Sequence, residues 1–239
     1  MTRRSPRRLA LWLAGGLAAA VAAVAGGTFV YIHFISAKAP APLSLKAAPG
    51  ATRSASPAAG QGTAPALAGT WQAGSGSVVG YRVQEVLFGQ NNIAVGRTSG
   101  IAGNVTIRGT SVTAGSFTVQ MATIKSDESQ RDAQFNGRIM DTSAYPTGTL
   151  TLTRPISLAP VPAAGTIRTY RASASLTLHG HTRPVAFTLS AERTSTGIEI
   201  SGSIPVLFSN WDIPNPSFGD VITTQNHGEL EFLLKLRRS

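Results

Sequence analysis

The sequence predicts an all-β domain, a closed antiparallel β-barrel of about eight strands with one short helix, preceded by one transmembrane helix and a disordered tether. Three observations predict it. Apolar and polar residues alternate at period two through most of the chain beyond residue 69, the mark of strands with one buried and one exposed face. A single helical interruption breaks that pattern. At the other end, four arginines precede an apolar stretch of 27 residues without Asp, Glu, Lys or Arg, Leu9 to Ile35.

That stretch is long enough to cross a hydrocarbon core of about 30 Å. Arg3, Arg4, Arg7 and Arg8 keep the N-terminus in the cytoplasm by the positive-inside bias and send the rest of the chain across the membrane. The expected placement is a single-pass protein of the cell membrane with its folded domain on the extracytoplasmic side. A signal peptide cut at Ala23-Val24-Ala25 or at Ala37-Lys38-Ala39 is the alternative and would give a secreted domain. The length exceeds a usual signal core, and Pro40 obstructs the second site, which favours an uncleaved signal anchor. His33 reads as a residue of the membrane interface. The chain thus divides into a basic tail (1–8), an anchor (9–35), a linker (36–68) and a folded domain (69–239).

The linker is dominated by Ala, Pro, Ser, Gly and Thr and lacks the apolar residues to form a core. Its five prolines bias it towards extended segments that hold the domain above the membrane. The domain begins near Gly69-Thr70-Trp71.

Five strands are explicit. Ser116 to Met121 puts Phe117, Val119 and Met121 on one face, and Tyr170 to Leu178 does the same with Tyr170, Ala172, Ala174, Leu176 and Leu178. Val185 to Ala191 follows with Val185, Phe187, Leu189 and Ala191. Ile198 to Val206 and Leu230 to Leu236 repeat the pattern. Shorter runs at Val78 to Phe88, Ile101 to Arg108 and Thr149 to Leu152 complete the set. The helix lies over Gln130 to Met140, capped by Ser126-Asp127-Glu128, with Ala133, Phe135 and Ile139 apolar. One helix in an all-β chain covers an opening, which favours a barrel over a sandwich.

An eight-stranded barrel is wide enough to be filled by its own side chains or to hold one small ligand. The expected wall comprises Tyr81, Val83, Phe117, Val119, Met121, Leu150, Leu152, Tyr170, Leu176, Leu178, Phe187, Leu189 and Ile200. Phe135, Trp211 and Phe218 are expected at the mouth. The same residues also fit a packed core, but the small inward residues Ala172, Ala174, Ala191 and Gly202 leave space.

Several strings, in order and spacing, resemble the YceI-like family, whose members enclose polyisoprenoid or related lipids in a lipocalin-like barrel. They are Ser77-Val78-Val79-Gly80-Tyr81-Arg82-Val83, Lys125 to Asp132, Tyr145-Pro146-Thr147, Leu176 to Val185 (LTLHGHTRPV) and Phe208-Ser209-Asn210-Trp211-Asp212-Ile213. The resemblance covers Trp71 to Leu236 and implies a closed barrel with an apolar tunnel. It further implies a bound isoprenoid such as a quinone or polyprenol as ligand, with no cofactor required. Glu85 stands where such proteins often carry a histidine, and Asn210 and Asp212 replace an Asp and a Gly. Asp tolerates the left-handed backbone that Gly supplies.

Composition excludes several other classes. With no cysteine there is no disulfide, thiolate metal site, Cys nucleophile or lipidated cysteine. The net charge of +10 is concentrated in the first 60 residues, which hold seven Lys/Arg and no acid, so the remainder carries 14 basic against 11 acidic residues. Without a basic stripe interleaved with aromatics, nucleic acid is not an expected partner. His179-Gly180-His181 reads as a metal pair needing a third ligand from His227 or Glu85, or as a hairpin turn. No nucleophile elbow, P-loop or dinucleotide fingerprint occurs, and a non-enzymatic role is expected. A solid barrel serving as an anchored interaction module is the second reading, and a His-dependent metalloenzyme the third. A homodimer is left open.

Overall fold

The computed structural model describes residues 39–45, 67–87, 89–217 and 222–239. Its strands are β1 Gly69–Ala73, β2 Val78–Leu87, β3 Gln90–Thr98, β4 Ile101–Arg108, β5 Ser111–Gln120 and β6 Thr147–Leu152, followed by β7 Ile156–Ser157, β8 Arg168–Leu178, β9 His181–Arg193, β10 Ile198–Leu207, β11 Ile222–Thr224 and β12 His227–Arg238. All pairings are antiparallel, and the order β1-β4-β5-β6-β8-β9-β10-β12 closes because β12 pairs with β1 again. The result is an eight-stranded barrel.

Two of its staves are double. β1 and β2 form one stave broken at residues 74–77, and β3 and β4 another broken at Ser99-Gly100. β12 pairs with β2 through Glu229–Leu233 and with β1 through Leu236–Arg238. The first break is stitched to β12 by Ser77, only 2% exposed, whose Oγ accepts the Lys235 N–H at 3.0 Å.

Sequence alternation locates most staves correctly but misses β3, which pairs with β2 over nine residues. The reason is its inward face: Gly96 lies beneath the Tyr81 ring, where a Cβ would meet Tyr81 Cε1 at 2.3 Å. A position that must stay this small carries no apolar signature.

The helical segment falls within one residue of the expected bounds but is α-helical only in its first half. α1 runs Ser129–Gln134 and continues as a π turn over Phe135–Ile139, where the Met140 N–H reaches the Phe135 carbonyl at 2.9 Å. No side chain caps it at Glu128. Instead Ser126 Oγ accepts the Glu128 N–H at 3.2 Å, while Asp132 Oδ1 accepts the Ser126 N–H at 2.8 Å and its hydroxyl at 2.9 Å. Ala133 is exposed, so the buried helical contact comes from Phe135.

Among the described residues no helix is long and apolar enough to cross a membrane. The expected anchor, Leu9 to Ile35, lies outside them, as do Phe88 and Phe218. Residues 39–45 of the linker are described and lie against the barrel's outer surface.

Candidate functional site: an apolar cavity along the barrel

The registers put the inward side chains side by side. Phe117, Leu150 and Leu176 form one row across β5, β6 and β8. Tyr170, Leu189, Gly202, Phe232 and Val79 form another across β8, β9, β10, β12 and β2. These rows enclose a cavity of about 320 Å³, within the size range of small-molecule sites.

All thirteen wall residues expected from sequence line it: Tyr81, Val83, Phe117, Val119, Met121, Leu150, Leu152, Tyr170, Leu176, Leu178, Phe187, Leu189 and Ile200. Ala172, Ala174 and Ala191 also line it and supply the open space. Gly202 does not. A Cβ there would stand 2.7 Å from Phe232 Cζ, so its smallness makes room for that ring, which meets Phe187 edge-on at 6.0 Å between centroids.

The cavity reaches both ends of the barrel. Leu67, Ile107, Val112, Ile156 and Leu158 line the end away from the helix. Sequence reasoning missed them, although the alternation of Val105 and Ile107 in β4 contained part of the signal.

At the helical end the lining turns polar. Phe135 stacks on Tyr81 with centroids 5.1 Å apart and planes at 14°. Arg131 Nη2 approaches Glu85 Oε1 at 3.4 Å, Arg131 Nη1 pairs with Asp127, and Asn92 Nδ2 donates to Glu85 Oε1 at 2.6 Å. Arg131 and Glu85 both line the cavity. Burial disfavours the Arg131 charge, but Glu85 and Asp127 outweigh it and hold its pKa above the ordinary guanidinium value. Burial likewise pushes the Tyr81 phenol up to about 12, against the lowering effect of Arg131. Tyr81 is therefore a neutral donor at the end of an apolar channel. Arg138 ties the helical segment to the opposite loop, donating to the carbonyls of Asn215 at 3.2 Å and Pro216 at 3.0 Å.

Of the expected mouth residues, Phe135 lines the cavity and Trp211 does not. Trp211 is 2% exposed, and its indole N–H donates to the Leu176 carbonyl at 3.2 Å, so it plugs the wall from behind. A buried indole needs an acceptor, and the end of β8 supplies it. Phe218 lies outside the described residues. Asp212 adopts the left-handed backbone at φ 52°, which Asp tolerates as expected from the sequence.

His179 and Gly180 form the β8–β9 turn, at φ 46° and φ 76°, and His181 opens β9 opposite Leu178. His179 packs on Tyr145 at 4.5 Å between centroids, whereas His181 is exposed. Among the described residues no group of three or more His, Asp or Glu converges on a common point. The geometry thus defines a β-barrel able to enclose an elongated apolar molecule.

Residues 72–236 match the model of the YceI-like domain, and the chain belongs to that family. No curated protein matches it. Among solved structures it is similar to a polyisoprenoid binding domain from Saccharophagus degradans implicated in plant cell wall breakdown, at 17% identity and a TM-score of 0.58, covering 72% of this chain and 99% of that one. It is also similar to BcnA of Burkholderia cenocepacia, at 17% identity and a TM-score of 0.52, covering 66% and 94%.

Proposed function

We propose that the barrel encloses a long-chain isoprenoid or similar amphiphilic lipid, such as a quinone or polyprenol, and stores, shields or transfers it outside the cytoplasmic membrane. The observation that carries this reading is the continuous apolar cavity lined from every stave. The chain of the lipid would occupy the apolar length, gaining roughly 25 cal/mol for each Å² removed from water. A polar headgroup would meet Tyr81, Glu85 and Arg131 at the helical end. Burial of this kind suits a carrier, because it offers no group aimed at a reacting bond.

The chain acts from the membrane. Leu9 to Ile35 anchors it with the arginines on the cytoplasmic side, and anchoring keeps the barrel at high effective concentration near its ligand. The family membership and the polyisoprenoid binding domain among the similar structures support the ligand class.

Organic extraction and mass spectrometry of the purified protein test the reading. A stoichiometric prenyl lipid is expected, and it is lost from Leu178→Arg protein whose fold is verified by circular dichroism, since a guanidinium in the apolar wall opposes the chain. A folded protein that carries no such lipid and takes up neither quinone nor polyprenol refutes it.

A further inference from the structure

Residues Ala39 to Leu45 fall in a segment whose composition predicts no fixed structure, yet they lie across the outside of the barrel. The Pro40 carbonyl accepts from Arg82 Nη2 at 2.6 Å, the Ala41 carbonyl accepts from Arg97 Nη2, and the Leu45 N–H donates to Ser201 Oγ at 3.2 Å. Arg82 is on β2, Arg97 on β3 and Ser201 on β10, so the segment crosses the neighbouring strands β10, β12, β2 and β3.

The surface beneath it carries an ion-pair cluster. Glu231 alternates along β12 with Leu230 and Phe232 and is only 3% exposed. Its carboxylate is paired with Arg82 and with Arg97, the latter at 3.1 Å. The register puts Gly80 between Glu231 and Arg97, and its missing side chain lets the Arg97 stem pack close over β2, where a Cβ would stand 2.9 Å from Arg97 Cγ. Ser201 and Val95 also belong to the outer face and are 6% exposed each.

The buried carboxylate holds both guanidinium groups so that Arg82 Nη2 and Arg97 Nη2 reach the strap carbonyls, while Arg97 Nε stays buried without a partner. Such donors need acceptors that bring no competing donor. Ala39-Pro40-Ala41-Pro42 suits them, because the prolines lack an N–H and hold their neighbours extended, which lowers the entropy lost on docking.

We propose that the outer face of β10, β12, β2 and β3 is a docking groove for the chain's own Ala39–Leu45 strap, which holds the barrel flank-on against the bilayer. The membrane part rests on the anchored reading above. Only Ser36, Ala37 and Lys38 separate the strap from the apolar stretch, a reach of about 10 Å at full extension. With the strap undocked, a flexible 36–68 linker would let the barrel stand off by roughly 30 Å.

The absence of cysteine from the chain allows single labels. A dye is attached through Asn91→Cys, on the exposed outer face of β3, or through Arg171→Cys, on the exposed face of β8 across the barrel. The full chain is reconstituted in phosphatidylcholine vesicles carrying a headgroup quencher, alongside a variant with residues 39–45 replaced by a Gly/Ser run of equal length. Stronger quenching at Asn91 than at Arg171, lost in the variant, is the expected result. Equal quenching at the two sites in the unaltered chain, or an asymmetry that survives replacement, overturns the proposal. A chain that fails to float with the vesicles refutes the anchored reading instead. The groove is then judged by hydrogen exchange at the Leu45 amide: protection supports it, and exchange at the free-chain rate overturns it.

Discussion

Substituting Ala174 by Phe separates a hollow barrel from a solid one. Ala174 is 2% exposed and its side chain faces the cavity of about 320 Å³. A phenyl group filling about 100 Å³ of that space would recover, at ~24 cal/mol per Å³, about 2 kcal/mol in the lipid-free protein. For a domain of this size that raises Tm by roughly 5 °C. The same ring blocks the channel: excluding one five-carbon unit removes about 4 kcal/mol of gross apolar transfer energy at ~0.8 kcal/mol per carbon. Only part of this appears as affinity, so uptake is expected to weaken at least about tenfold. Calorimetry of delipidated protein reads the first effect and extraction after incubation with lipid the second. A packed interior would respond in the opposite way, losing ~1–3 kcal/mol to overpacking. A fall in Tm with undiminished uptake would refute the reasoning.

Two further outcomes follow from burial. The folded protein keeps the Tyr81 phenol protonated up to about 12, against 10.0 for an ordinary tyrosine, so the stability it contributes is intact below pH 10 and is lost between the two values. The difference is worth at most roughly 3 kcal/mol, and Tyr81→Phe should flatten this window in pH-dependent unfolding while removing a phenolate absorbance step near pH 12. Trp71 is fully buried and its indole donates to the Leu67 carbonyl at 2.9 Å. Trp71→Ala is expected to cost ~3–5 kcal/mol in denaturant unfolding, and a loss below 1 kcal/mol would contradict its place in the core.

The strands most legible in the sequence are those whose inward positions are all apolar, such as β8 with Tyr170 through Leu178. β3 was hidden because its inward positions Asn92, Ala94, Gly96 and Thr98 are shaped by neighbours: Tyr81 fills the space at Gly96, and Asn92 serves Glu85. Gly202 carried the opposite lesson, since small size alone does not say whether a ligand or a ring from the next strand takes the space. Arg131 carries no cavity signal in the sequence, because its pairing with Asp127, four residues earlier, is local and only its contact with Glu85 is a tertiary event. Docking of Ala39–Leu45 was invisible for a different reason. Its acceptors are backbone carbonyls, which every residue possesses, and its specificity resides in the arginines on the barrel.

The length of the staves sets one more property. β8 spans 11 residues, which at ~3.3 Å per residue and a tilt of about 40° gives a barrel height of about 28 Å. This is close to the ~30 Å depth of hydrocarbon in a bilayer. A molecule whose tail normally lies within lipid would therefore find inside the barrel a column of apolar surroundings of nearly the same depth, and could pass through water without bending its tail back on itself.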